Sequence, residues 1–134
     1  MNEKLFDSGL SLHEKIAKGI DTLTNNVATT YGPRGRNVII HGNGSNPVIT
    51  KDGVTVARFV NLADPVENTA AEIIKQAASK TASDAGDGTT TATILAREMF
   101  RQARKYIITG ASPIEIKRGM DKAVKVIVLS LIHI

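Results

Sequence analysis

The run from 65 to 109, PVENTAAEIIKQAASKTASDAGDGTTTATILAREMFRQARKYIIT, constrains this chain most. Apolar residues recur through it at steps of three and four, the spacing of one helix face. Val66, Ala70, Ile73, Ile74, Ala77, Ala78 and Ala82 form one stripe. Ala92, Leu95, Ala96, Met99, Ala103, Tyr106 and Ile107 form a second. One interruption, Gly86-Asp87-Gly88, separates them. The pattern predicts a helix over 65–85, a tight connection and a helix over 89–109. Asp64 can cap the first, Pro65 suits its first position, and Glu67 completes a capping-box pattern. Gly86 can end it in a left-handed turn. Aromatic residues make up only 4% of the chain, so the core is expected to be aliphatic and alanine-rich, which favours close helix packing.

The flanks extend the same plan. Leu12, Ile16, Ile20, Leu23 and Val27 predict a helix over 11–29, with Ser11 and Glu14 as a capping-box pair and Gly32-Pro33 as its stop. Residues 37–50, NVIIHGNGSNPVIT, read as a β-hairpin, because two Val/Ile runs flank a Gly/Asn/Ser turn. A turn at Asp52-Gly53 and a short helix follow. Gly110 closes the third long helix, and Ser112, Pro113 and Glu115 open a fourth from about 113. The expected fold is mainly α: about four long helices and one small hairpin in a single segment, 1–134.

Several classes of function are excluded. The absence of cysteine removes disulfides and thiolate metal sites. The start, MNEKLFDSGL, has no apolar signal core, and no stretch reaches the ~18 apolar residues of a membrane span. A cytoplasmic location without a membrane partner is therefore expected. His13, His41 and His133 are scattered, which argues against a histidine metal site. Neither G-x-x-x-x-G-K-[ST] nor a G-x-G-x-x-G after a strand occurs. Asn43-Gly44-Ser45 matches a glycosylation acceptor but reads as a hairpin turn. The net charge of +4 is compatible with anionic partners.

Three loops carry chemistry. In GDGTTT, 86–91, Gly86 and Gly88 allow close backbone approach, and the amides of the next helix turn point outward at an anion. Thr89, Thr90 and Thr91 add hydroxyl donors. Asp87 would repel a bare phosphate, but a carboxylate beside a phosphate cradle fits if Mg²⁺ lies between them. A turn followed by an N-cap also accounts for Gly-Asp-Gly-Thr. However, three threonines in a first helical turn cost propensity and gain a purely structural helix little. TTYGPRGRN, 29–37, offers Thr30, Gly32 and Gly35 with Arg34 and Arg36; a solvated basic turn is its plainer reading. TKDG, 50–53, is a common turn and matters only if the fold brings it to the others. Arg97, Arg101, Arg104 and Lys105 make a basic stripe. It could bind nucleic acid, but few aromatics are available for base stacking, and a solvated helix face is the favoured reading.

TTYGPRGRNVII, ITKDGVTVAR, ENTAAEIIKQAASKTASDAGDGTTTATILA and ASPIEIKRGMDKAV closely resemble the group I, GroEL-like chaperonins, in order and with few gaps from about residue 6 to about 125. The resemblance implies the N-terminal part of an equatorial domain carrying an ATP site. In that family the T-x-G-P and D-G-T-T-T motifs contact the nucleotide phosphates. They correspond here to Thr30, Tyr31, Gly32 and Pro33, and to Asp87, Gly88, Thr89, Thr90 and Thr91. The K-D-G motif, here Lys51, Asp52 and Gly53, also lines the site, with Asp52 in a supporting catalytic role. The resemblance further implies Mg²⁺ on Asp87 and K⁺ near the backbones of Thr30 and Lys51. Tyr31 departs from the pattern, where an aliphatic residue is usual. The whole protein would be an ATP-driven folding machine of two stacked heptameric rings, holding unfolded clients and a co-chaperonin through domains this chain lacks. The catalytic aspartate that activates water also lies in a missing segment, so the isolated chain is not expected to turn over ATP. The alternative is a stand-alone helical binding module that uses the basic stripe for nucleic acid.

The tail VIVLSLIHI, 126–134, breaks the pattern. After Lys125 no Asp, Glu, Lys or Arg appears, and seven of the last nine residues are Val, Ile or Leu. A truncation or read-through scar is the expectation here, with a buried terminal helix or an oligomer contact as the rival.

Overall fold

The computed structural model describes residues 7–41 and 46–134. Its elements are α1 (Gly9–Ala28), β1 (Val38–Ile40), β2 (Val48–Thr50), α2 (Gly53–Phe59), α3 (Pro65–Ala85), α4 (Thr89–Ile108) and α5 (Pro113–Ile132). The chain is mainly α, with one small antiparallel hairpin, as the periodicities predict. The described residues fall into two compact units divided after Arg97.

In the first unit, α1 packs on α3, and α2 packs on both. Ile20, Leu23 and Val27 of α1 are buried, as are Ala70, Ala71, Ile74 and Ala78 of α3 and Val56 and Ala57 of α2. Burying a Leu or Val side chain of this kind is worth about 1.5–3 kcal/mol. The alanines allow close approach, and Gly19 is the tightest point: a Cβ there would overlap the Glu67 carbonyl. Thr24 is fully buried, and its hydroxyl donates to the Ile20 carbonyl, so this hydroxyl is not stranded.

The α3 stripe is rotated from its expected position. Ile73 is 61% exposed, and the buried set includes Ala71 and Lys75. Lys75 buries its aliphatic stem, and its ammonium donates to the Val60 carbonyl and to Glu72. This ties α3 to the end of α2. Asp64 caps α3 as predicted, accepting from the Val66 and Glu67 amides at 2.8 and 3.1 Å. Glu67 does not complete the box; its carboxylate takes the Lys18 ammonium of α1 at 2.7 Å. Helix α1 begins at Gly9, not at 11, with Ser8 at the cap position. Ser11 therefore lies inside the first turn and caps nothing.

The hairpin pairs Val38 with Thr50, Ile39 with Ile49 and Ile40 with Val48. The turn expected at Asn43-Gly44-Ser45 lies outside the described residues.

The second unit holds the end of α4 and all of α5. Gly110, at φ +97°, ends α4, with Ala111 N–H donating to the Tyr106 carbonyl. Ser112 stands at the α5 cap position without a side-chain bond. No residue of α5 is buried. The run 126–134 continues this helix to Ile132 and is exposed throughout.

Candidate functional site

Three connections of the first unit meet at one cleft of about 350 Å³. The α1–β1 connection contributes Thr30, Tyr31 and Gly32. The β2–α2 connection contributes Lys51, Asp52 and Gly53. The α3–α4 connection contributes Asp87 and Gly88, and the first turn of α4 adds Thr89, Thr90 and Thr91. Every residue that the sequence marks as a site residue lines this cleft except Pro33, which stands exposed beside it. Sequence reasoning marked Gly86 for close backbone approach but missed Val54 and Ala82 as lining residues. Their only signal was adjacency: one follows Gly53, and the other lies in the last turn of α3.

Each wall has a local cause. Thr30 is buried, and both its amide and its hydroxyl donate to the Val27 carbonyl, at 3.1 and 2.7 Å. That pins the loop to the last turn of α1. Gly32, at φ +73°, then reverses the chain, and Gly35 N–H donates back to its carbonyl. Gly35 also packs on the Thr30 carbonyl, where a Cβ has no room.

Asp52 is the N-cap of α2. Its Oδ2 accepts from the Thr55 amide at 2.8 Å and from the Thr55 hydroxyl at 2.6 Å, and Oδ1 accepts from the Val54 amide at 3.4 Å. The Thr55 hydroxyl above all, with the Thr55 and Val54 amides and the charge of Arg58, holds this carboxyl below the usual carboxylate range, against the opposing effect of burial. The group is thus an anion throughout the neutral range. It can orient a water or a cation but holds no proton to donate.

The third wall combines opposite charges. α3 ends at Gly86 in the left-handed region, at φ +77°, and Gly88 follows at φ +91°. The first amides of α4 have no acceptor within the helix, and they open onto the cleft at the positive end of its dipole. Asp87 is exposed, and its Oδ1 accepts from the Gly88 amide at 2.6 Å. Its other oxygen remains available to a cation. Carboxylate and hydroxyl oxygens form a hard donor set, which suits Mg²⁺ and not a soft metal. Among the described residues no three His, Cys, Asp or Glu side chains converge on a metal position. A cation at Asp87 would therefore draw its remaining oxygens from ligand and water.

The basic stripe does not form a comparable site. Arg97 donates to Asn25 at 2.9 Å, Arg101 lies 3.8 Å from Glu98, and Lys105 donates to Gln102. Among the described residues, Arg101 is the one member of the stripe near a carboxylate; Arg97 and Lys105 meet neutral amides. No helix among the described residues is long and apolar enough to cross a membrane.

Residues 23–134 match the profile of the TCP-1/cpn60 chaperonin family. The match takes in all three loops of the cleft and runs through the tail 126–134.

Proposed function

The chain belongs to the TCP-1/cpn60 chaperonin family, and on that premise we propose that the three-loop cleft holds the phosphates of Mg·ATP in an ATP-dependent protein-folding chaperonin. The observation that carries the reading is the meeting of unpaired helix-start amides, threonine hydroxyls and one exposed carboxylate around a single cleft. The amides of Thr89, Thr90 and Thr91 bind the anionic oxygens, and Gly32, Gly53 and Gly88 keep backbone and ligand close. Asp87 holds Mg²⁺, which neutralises phosphate charge when bound. The main chain at Thr30 and Lys51 is the proposed K⁺ position; the glycine at 35 leaves the Thr30 carbonyl free of side-chain cover. Lys51 adds positive charge at the rim, and Asp52, anionic and held by Thr55, supports catalysis by orienting water.

The larger activity belongs to the whole subunit. Double heptameric rings, unfolded clients and a co-chaperonin are part of the same proposal and draw on segments beyond these 134 residues. The chain alone binds Mg·ATP without multiple turnovers. Calorimetric titration with ATP, with and without Mg²⁺, tests the reading. Binding that requires Mg²⁺ is expected. Equal binding in EDTA, or no binding under either condition, overturns it.

A further inference from the structure

The chain holds two Asp-Gly bonds, Asp52–Gly53 and Asp87–Gly88, and both stand in the cleft. A glycine after aspartate leaves its amide nitrogen unshielded by a Cβ and open to the aspartate carboxyl. The fold treats the two bonds differently. The Asp52 carboxylate takes the Val54 and Thr55 amides and the Thr55 hydroxyl, and its carbonyl accepts the first α2 bond, from the Val56 amide at 3.0 Å. Gly53 is buried against the Thr90 hydroxyl. Any rearrangement there breaks the start of α2. Asp87, in contrast, lies outside its helix: the first α4 bond goes to the Gly88 carbonyl, from the Ala92 amide at 2.8 Å. The Asp87 side chain is exposed, and its Oδ1 sits 2.6 Å from the Gly88 nitrogen, which brings the carboxyl carbon close to that nitrogen. The surroundings are open. A would-be Cβ at Gly86 meets nothing within 4 Å, and one at Gly88 meets only the Thr81 methyl at 3.6 Å.

We infer that Asp87–Gly88 is a site of spontaneous isoaspartate formation, and that conversion disables the cation position of the cleft. The Gly88 nitrogen bonds to the Asp87 Cγ. The carboxyl, protonated from solvent, gives up its hydroxyl, which leaves as water with the amide proton, and a succinimide closes. Water then opens the ring. Attack at Cγ restores Asp87. Attack at the main-chain carbonyl routes the chain through Cβ and Cγ and leaves the carboxylate directly on Cα. Mass and charge are unchanged, but the backbone is one methylene longer and the carboxylate one methylene shorter. The carboxylate and the first amides of α4 thereby lose their present spacing. The modification stands on the geometry alone; the loss of the cation position rests on the Mg²⁺ reading of Asp87 given above.

The test ages the 134-residue chain at neutral pH in buffer alone, in saturating Mg·ATP and in denaturing urea. Peptide mapping with electron-transfer fragmentation reads isoaspartate at each bond. In buffer, residue 87 should convert at least about tenfold faster than residue 52, because releasing even one hydrogen bond to a charged group accounts for that ratio. In urea the two should convert alike. Deamidation at Asn43-Gly44 changes the mass and is counted apart. Saturating Mg·ATP should slow residue 87, and the number of Mg·ATP sites per aged chain should fall in step with the converted fraction. Equal conversion at 52 and 87 in buffer, or none at 87, would overturn the inference. Conversion at 87 that ignores Mg·ATP and leaves the site count intact would keep the modification site and remove Asp87 from cation binding. Failure of the fresh chain to bind Mg·ATP would overturn the functional reading alone, since the comparison of 52 with 87 needs no ligand.

Discussion

Gly53 packs directly on the hydroxyl of Thr90. A Cβ at residue 53 would overlap that oxygen and would touch the Thr30 hydroxyl at 3.4 Å. Two walls of the cleft therefore meet at a point where only a hydrogen fits. The third wall stands within van der Waals reach of the same point.

Gly53→Ala should push Thr90 from its rotamer and shift the first turn of α4. A loss of about 1–3 kcal/mol in stability is expected from overpacking, with a larger proportional loss of Mg·ATP affinity. Gly110→Ala is the control. It meets no neighbour, and its strain comes only from φ +97°. Isothermal titration of both variants decides the point. Equal nucleotide affinity in Gly53→Ala and the parent would show that the contact does not shape the site.

Asp87→Asn keeps an oxygen to accept the Gly88 amide and removes the charge. The fold should be unchanged, because the side chain is exposed. Mg²⁺-dependent nucleotide binding should fall by at least about tenfold, the lower end for disturbing a metal's ligand set. Binding measured across a Mg²⁺ series checks this. A full Mg²⁺ response in the variant would move the cation away from Asp87.

Much of this was legible in the residues, and the failures have physical causes. The ends of α3 and the start of α4 follow from Asp64, Pro65, Gly86 and Gly88, each of which acts on its own few neighbours. The loops that form the cleft were legible because glycine beside threonine and aspartate is local chemistry. The Gly53–Thr90 contact was not, since it joins residues 37 positions apart and depends on how α1, α2 and α3 pack. Glu67 illustrates the same limit. Its spacing from Asp64 predicts a capping box, but Lys18 on another helix offers a full charge and takes the carboxylate. Lys75 lay outside the apolar stripe read from the sequence, and the Val60 carbonyl gives its ammonium a partner inside the fold.

Acid should loosen the α1–α3 unit before it unfolds α5. The Glu67 amide first, then the Val66 amide and Lys15, hold the Asp64 carboxyl below the usual range. Lys15 does the same for Asp7. A carboxyl with a lowered folded-state pKa contributes stability above its unfolded value and loses it as pH falls through the folded value. Stability should thus be flat near neutrality and fall below the ordinary carboxylate range. Lys18 has the opposite sign. The Glu67 hydrogen bond raises its pKa, so its contribution is complete below the unfolded lysine value and fades as pH rises through the folded one. Urea melts at pH 7, 5 and 3 check the acid limb. Asp64→Asn should flatten it, and an unaltered slope would remove Asp64 from the account.

The exposed apolar run of α5 should drive self-association of the 134-residue chain. Ile127 and Leu131 lie one turn apart and are 55% and 64% exposed. An uncharged, β-branched stretch of this kind is an aggregation hazard. Replacing both residues with lysine should raise the soluble concentration and change stability by no more than about 0.5 kcal/mol, as for surface sites. Light scattering with far-UV dichroism reads both effects. Loss of helical signal in the double variant would mean that these side chains are part of a core.

Two glycine-to-alanine changes should have opposite signs. Both Gly19 and Gly119 lie inside helices with ordinary helical φ, and in an open helix alanine is favoured over glycine by about 0.5–1 kcal/mol. Gly119 has nothing within 4 Å of its would-be Cβ, so Gly119→Ala should gain helicity and roughly that stability. Gly19 is buried, and its would-be Cβ overlaps the Glu67 carbonyl and approaches the Glu67 Cα at 3.0 Å. Both are backbone atoms of α3 and cannot swing aside as a side chain would. Relief requires the two helices to separate, which opens gaps around Ile20, Leu23 and Ala70. Gly19→Ala should therefore lose about 1–3 kcal/mol despite its better propensity, and it should weaken the Lys18–Glu67 pair at the same crossing. For a domain of this size that is a fall in Tm of several degrees. Thermal melts of the two single variants beside the parent measure the difference. A stabilised Gly19→Ala variant would mean that α1 and α3 do not cross as closely as the Gly19–Glu67 contact requires.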